Sequence, residues 1–423
     1  MRYVIYLLMP LLLALTSLNT QAAQDVLTLD EVIVSVLEKN PELRINDFEA
    51  LSAAARIRLA RQTPPMSVNL ELENFAGSGT RKGSDTLETT LSLSKVFELG
   101  DKAGLRGDVA QRKFELLSNN QDAKRLDILS EAVRRFIHVI IDQHRLVIAN
   151  DKLTLAKRTY NVVNKRVKAG RSPVAERRRI SIALARAEIE LEHAEHELAT
   201  TRVKLTSMWG KTKPEFTTAQ GGLFELEAVA PFSQLETLLE LNPDLVRFAT
   251  AKRLTEARLN LAIAKQSANV AFTAGVRNFS ATDDNAFVFS ANIPFGLNSR
   301  AAADIEAENL QLQKEPFNYE KQKLALYVSL YEVYQELQHA YKAVEVLSER
   351  ILPEAKQALR EYEKGYAAGR YSFLELTDAQ RTLLDARLEV IVMSANYHRY
   401  RIEIDRLTGA RLSSVSSATG VTK

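Results

Sequence analysis

The sequence predicts a mainly α-helical fold with a small β part, in which one unit of about two hundred residues is made twice. Three observations carry this expectation. First, "LEKNPEL" ending at Leu43 returns as "LELNPDL" ending at Leu245, "AGR" at Ala169 to Arg171 returns at Ala368 to Arg370, and "WG" at Trp209-Gly210 is answered by "TG" at Thr408-Gly409. Second, glycine and proline are scarce, with 16 Gly and 11 Pro in 423 residues, which leaves long stretches free to run as helix. Third, where the helical pattern breaks, four short segments alternate apolar and polar residues at period two.

The elements follow in chain order. The opening "MRYVIYLLMPLLLALTSLNTQAAQD" has an early Arg2, an apolar run to Leu15 and small residues at Ala22-Ala23, so residues 1–23 are expected to be a secretory signal peptide. Interrupted by Pro10, the run is too short for a membrane anchor. A first structural repeat is expected over 24–209. Its hairpin, 67–94, sets Val68, Leu70 and Leu72 against Asn69, Glu71 and Glu73, then Leu87, Leu91 and Leu93 against Glu88, Thr90, Ser92 and Ser94. From Asp108 to Ala169 neither Gly nor Pro occurs, which predicts one very long helix or two stacked ones, and Val174 to Trp209 predicts another. Residues 210–232 are expected to connect the halves. The second repeat, 233–409, holds a hairpin at 269–295, in which Val270, Phe272, Ala274 and Val276, then Phe287, Phe289, Ala291 and Ile293, mark one face. Helical runs follow over Ala301 to Leu352, broken only by Pro316, and over Ser372 to Thr408. The Ser/Thr-rich 410–423 reads as a disordered tail.

Composition narrows the function. With 56 basic and 53 acidic residues, net +3, the chain lacks the lopsided charge of a nucleic-acid binder. It has no cysteine, hence no disulfide and no thiolate metal site. After the leader no apolar stretch is long enough for a membrane helix, so entry into a membrane must be by strands. One apolar and one polar face fit the lipid-out, lumen-in pattern of an outer-membrane barrel, whereas the plainer reading is a hairpin packed on helices. Four strands cannot close, since barrels need at least about eight. Several chains must then pool their hairpins, which closed cyclic symmetry does naturally.

The duplication, the hairpins and the helical runs together resemble the TolC family of outer-membrane efflux proteins over nearly the whole mature chain. Within it, "PPMSVNLELENFAGSG" and "ETTLSLSKVFELGDKAGLR" are similar to the CzcC-like, heavy-metal branch, through Glu98, Leu99, Gly100, Lys102 and Arg106. Asp101 stands where that branch usually has a second Gly, and is expected to cap the following helix. The resemblance implies a homotrimer: a 12-stranded β-barrel in the outer membrane, four strands per chain, above an α-barrel tunnel extending into the periplasm. It implies a periplasmic adaptor, an inner-membrane pump of the RND type and outer-membrane lipid as partners, heavy-metal cations as cargo, and neither cofactor nor catalysis.

The two "AGR" turns would then be periplasmic tips, with Gly170, Arg171, Glu176, Gly369 and Arg370 placed to dock the adaptor. The plainer reading is helix punctuation by glycine caps. By the same resemblance Glu375 and Asp378, one helical turn apart, would ring the closed aperture, and the basic cluster of Arg166, Lys168, Arg171 and Arg177 to Arg179 would meet the adaptor or pair with those acids. As surface helix charges they would need no explanation. Glu71, Glu73 and Glu88 would face the barrel lumen. His193 and His196 are weak candidates for a metal site, more simply read as a solvated coiled-coil face. Two other functions fit the residues: a duct for drugs or for type I secreted proteins and, in a different class, a soluble periplasmic coiled-coil adaptor or scaffold. No nucleophile–base pair or phosphate loop supports an enzyme.

Overall fold

The computed structural model describes residues 26–409, so the segment read as a signal peptide and the tail at 410–423 lie outside the described residues. A short strand β1 (Val26–Leu27) leads into helix α1 (Leu29–Lys39), which opens on a capping box between Thr28 and Glu31. Helix α2 (Pro41–Ala60) begins at Asn40. Here the repeated "NP" acquires its physical reason. The Asn40 Oδ1 accepts the backbone N–H groups of Glu42 (2.9 Å) and Leu43 (3.1 Å), and its Nδ2 donates to the Met208 carbonyl (2.8 Å) at the far end of the repeat. In the second repeat Asn242 opens α6 (Pro243–Ala264) in the same way, accepting from the Asp244 N–H (2.6 Å) and donating to the Leu407 carbonyl (2.6 Å). Both asparagines are buried. An amide caps one helix with its oxygen and donates to the end of another with its nitrogen, and proline at the next position needs no N–H partner.

Strands β2 (Ser67–Glu73), β3 (Glu88–Glu98), β5 (Asn269–Phe279) and β6 (Asp284–Asn292) form one antiparallel sheet in the order β2-β3-β5-β6. Each half supplies one hairpin, as its alternation predicts, although the second strand runs from Glu88 to Glu98 rather than stopping near Ser94. The two hairpins are joined through β3 and β5, a pairing the sequence did not reveal.

Between Gly/Pro breaks the helices are long. Helix α3 (Lys102–Lys168) is continuous for 67 residues, one helix rather than two stacked ones, and spans about 100 Å. Helix α4 (Val174–Thr206) returns beside it, ending in a 3-10 turn at Ser207–Trp209. In the second repeat α7 (Leu297–Val346) runs through Pro316, correcting the expected break. Pro316 is exposed, so water can take the carbonyl it leaves without a donor. The irregularity lies instead at Leu347–Ile351, a π turn just before Pro353, where the Leu352 N–H reaches back to the Leu347 carbonyl. Proline at 353 offers no N–H to the preceding turn, and the wider turn absorbs that loss. Helix α8 (Leu352–Ala367) continues to the second tip and α9 (Phe373–Thr408) returns.

Beneath the sheet α2, α3, α6 and α7 pack as neighbours in that order, so each helix sits under the strand it continues. Further along, α4 packs on α3, α3 on α9, and α9 on both α7 and α8. The main core, around Val32, Val36, Leu129, Val139 and Leu205, joins α1, α3 and α4, and a second around Leu330, Leu337 and Ile404 joins α7 and α9. The 210–232 connector is more than a tether, because its strand β4 (Thr218–Ala219) pairs in parallel with β1, and α5 (Phe232–Leu238) starts at its end.

Candidate functional site

The sheet keeps apolar side chains in register on one face. Val68 pairs with Leu93 and Leu70 with Leu91; Leu91 also pairs with Val276, and Ala274 with Phe289. This face is uncovered: Leu70 is 65 % exposed, Phe289 71 % and Phe287 93 %. Such a contiguous apolar surface in water marks a surface meant for something else. On the other face lie Asn69, Glu71 and Glu73, then Glu88, Thr90 and Ser92, then Thr273 and Arg277. The Arg277 guanidinium lies 2.8 Å from Glu73 Oε2 and donates to Glu88 Oε2 (3.0 Å) and Thr90 Oγ1 (2.8 Å), while Glu71 is exposed and has no partner among the described residues. Alternation in the sequence places Glu73, Glu88 and Arg277 on this face, but it does not reveal that Arg277 reaches both glutamates across the sheet.

Both sheet edges, β2 and β6, lack a partner strand among the described residues. The flanking helices α2 and α7 carry apolar stripes at the same two edges. On α7, Leu310, Phe317, Leu324 and Tyr331 recur every seven residues and are exposed; on α2, Ile45, Phe48 and Leu59 are exposed. A seven-residue apolar seam is the pattern of a helix that meets another helix.

Where strand passes to helix, three charged residues fasten the junctions. Arg106 forks onto Glu98 (2.7 and 2.8 Å) and donates to the Ala60 and Gln62 carbonyls at the α2 exit, and Lys102 donates to the Ser267 carbonyl (2.6 Å) and Asn269 Oδ1 (2.5 Å) at the α6 exit. One motif thus ties β3 to both neighbouring junctions. Asp101 corrects the capping expectation: its side chain makes no cap hydrogen bond, and its φ of 51° is left-handed. That conformation explains why glycine suits the position and why Asp, which tolerates it better than most side chains, can replace it.

At the far end the helices close on Gly170 (φ 68°) and Gly369 (φ 77°), left-handed caps as predicted. The Arg171 N–H reaches the Arg166 carbonyl and the Arg370 N–H reaches the Gly365 carbonyl, both at 2.8 Å. The tips are laced together. The Arg166 guanidinium sits 4.6 Å over the Tyr366 ring and donates to the Tyr366 carbonyl (2.6 Å), and the Tyr366 hydroxyl donates to Glu176 (3.1 Å). Tyr366 is 2 % exposed and was missed from sequence, where nothing distinguishes it from its neighbours Tyr362 and Tyr371. Glu375 accepts from the backbone N–H and hydroxyl of Ser372, both at 2.7 Å, which hold its carboxyl below the usual range. Asp378 is exposed, and among the described residues neither acid forms an ion pair, so the expected pairing with the basic cluster does not occur within one chain. His193 and His196 are exposed on α4, and no group of three or more His, Cys, Asp or Glu among the described residues could hold a metal. Nor is any described helix long and apolar enough to cross a membrane.

Comparison with known proteins places this geometry. The chain is similar to the cobalt-zinc-cadmium resistance protein CzcC of Cupriavidus metallidurans, 27% identical over 383 residues and covering 90% of each chain. It is similar to the cation efflux system protein CusC of Escherichia coli O157:H7, 24% identical over 411 residues, covering 89% of this chain and 84% of that one. Among solved structures, one of CusC matches with a TM-score of 0.74 at 18% identity, covering 90% of this chain and 91% of that chain. The family model for outer membrane efflux proteins matches residues 32–211 and again 235–410, once for each repeat, and the chain belongs to that family.

Proposed function

We propose that the protein is the outer-membrane channel of a tripartite efflux system, working as a homotrimer with a periplasmic adaptor and an inner-membrane RND pump and exporting divalent heavy-metal cations. One observation supports the channel above all: a four-stranded sheet with a bare apolar face and two edges unpaired among the described residues, standing on a 67-residue helix. Three copies, β6 of each beside β2 of the next, would leave no open edge in lipid. The stripes on α2 and α7 would meet along the same seam, with the polar face and its Glu71, Glu73 and Glu88 turned to the lumen.

The helices would enclose a tunnel whose tips, with Gly170, Arg171, Glu176, Gly369 and Arg370, meet the adaptor, and whose aperture Glu375 and Asp378 would ring. The channel needs no catalytic cycle, since the pump supplies the energy. The cargo reading rests on similarity to proteins named for cobalt, zinc and cadmium resistance and for cation efflux.

Two experiments test these claims separately. Leu91→Arg should abolish recovery from the outer membrane while Ser92→Arg is tolerated, because an arginine at a lipid-facing midplane site costs about 2 to 4 kcal/mol per chain. Equal yields would refute the assigned faces. Deleting the gene should lower tolerance of zinc, cobalt or cadmium; unchanged metal tolerance with new sensitivity to dyes and antibiotics would transfer the duct to drug efflux.

A further inference from the structure

The polar face of the sheet contains an arrangement that costs energy unless something offsets it. Glu73 and Glu88 lie directly opposite each other in the β2–β3 register, and like charges in that relation repel. Both stand at the hairpin end farthest from the helices, one closing β2 and the other opening β3. Arg277, reaching from β5 of the other repeat, pairs with both, and its Nε is used by Thr90, a side chain 4 % exposed. Asn74 donates to the remaining Glu88 oxygen (2.7 Å). Among the described strand residues on this face Arg277 is the one cation, against Glu71, Glu73, Glu88 and Asp284 at the same end.

We propose that Arg277 sets the ion preference of the pore's outer mouth by clamping Glu73 and Glu88, so that Glu71 and Asp284, exposed and without a partner among the described residues, are the carboxylates a departing cation meets. The inference rests on the reading that this face lines the lumen. Rings of fixed carboxylates favour cations in proportion to their uncompensated charge. A guanidinium that donates to Glu88 and Thr90 and lies against Glu73 is restrained from swinging into the pore, so the clamp sets both the amount and the place of that charge.

The test is the reversal potential of purified trimers in planar bilayers under a potassium chloride gradient. Arg277→Gln should displace it toward the potassium equilibrium value, because two carboxylates lose their counter-ion. The pair Glu73→Gln with Glu88→Gln removes the repulsion and leaves Arg277 uncompensated, so it should displace the potential the opposite way, and it decides the question alone if Arg277→Gln is not recovered. Arg277→Lys keeps the charge and should stay near wild type, a rescue that a merely structural role would not produce. A wild-type channel together with variants whose potential shifts for neither charge change, or shifts equally for Arg277→Lys and Arg277→Gln, overturns the clamp. Absence of any channel from the wild-type protein would instead defeat the proposed function.

Discussion

The Gly170 tip and the Gly369 tip turn the chain with nearly the same letters and the same backbone, yet they use the glutamate at the third position of the following helix differently. At the first tip the N-cap is Pro173, which offers neither hydroxyl nor N–H, and Glu176 reaches across to the Tyr366 hydroxyl. At the second the N-cap is Ser372, and Glu375 is drawn into a capping box with it. The residue four before each glycine differs too. Arg166 extends from the first tip over the second, whereas its counterpart Gly365 has no side chain because the Tyr371 ring occupies that space. Duplication therefore preserves the turn and leaves the side chains free to diverge, so one tip supplies the clasp and the other receives it.

Where the repeats agree, loss should be symmetric, and the largest effect is expected there. Asn40→Ala and Asn242→Ala each remove a helix cap, worth about 0.5 to 2 kcal/mol. Each also strands a buried carbonyl at the far end of its repeat, at a further cost of about 1 to 3 kcal/mol. Thermal unfolding of the detergent-solubilised protein should show comparable losses for the two. A large loss at one and none at the other would break the equivalence of the halves.

Where the tips differ, a substitution at one has no counterpart at the other. Arg166→Ala removes charge-assisted hydrogen bonds worth about 1.5 to 3 kcal/mol and a ring contact worth about 0.5 to 1 kcal/mol. It should loosen both tips, seen as faster amide exchange in α8 as well as α3. Exchange confined to α3 would mean that the clasp carries no coupling. A smaller effect is expected from exchanging the caps. Ser372→Ala should cost about 0.5 to 2 kcal/mol, and Pro173→Ser should build a second capping box that competes with Tyr366 for Glu176. If Pro173→Ser leaves the Tyr366 hydroxyl bonded to Glu176, as read from its spectrophotometric titration, the cap does not decide where the glutamate goes.

The same contrast marks what could be read in the letters. Strand faces were legible because alternation is local, and the assigned Leu70, Leu91 and Phe289 do share one face. The repeated Asn-Pro and the left-handed glycines were legible for the same reason. Pairing of β3 with β5, the reach of Arg277 to Glu73 and Glu88, and the burial of Tyr366 depend on segments about two hundred residues apart, which no local period encodes. The π turn before Pro353 was hidden differently, because a proline can be absorbed by widening the turn or, as at Pro316, by exposure to water.

The smallest effect on stability, and the most telling for function, concerns Glu375 and Asp378. The Ser372 backbone N–H and then its hydroxyl hold the Glu375 carboxyl below its ordinary value, so whatever stability this contact lends is present above the ordinary value and lost as pH falls through the lowered one. Its charge is spent on the start of its own helix. Asp378, one turn on, is exposed and without a partner among the described residues, so the two acids of the proposed aperture are unequal. If they ring the closed end of a trimer, Asp378→Asn should account for most of the change seen in Glu375→Gln with Asp378→Asn, namely a larger conductance and a weaker cation preference in planar bilayers. Glu176→Gln, equivalent in sequence to Glu375→Gln but facing Tyr366, should alter tip exchange without altering selectivity. A double variant with the conductance and selectivity of wild type would reduce both carboxylates to surface helix charges and leave the duct without an acidic gate, because a substitution shifts an open–closed equilibrium only through what differs between the two states.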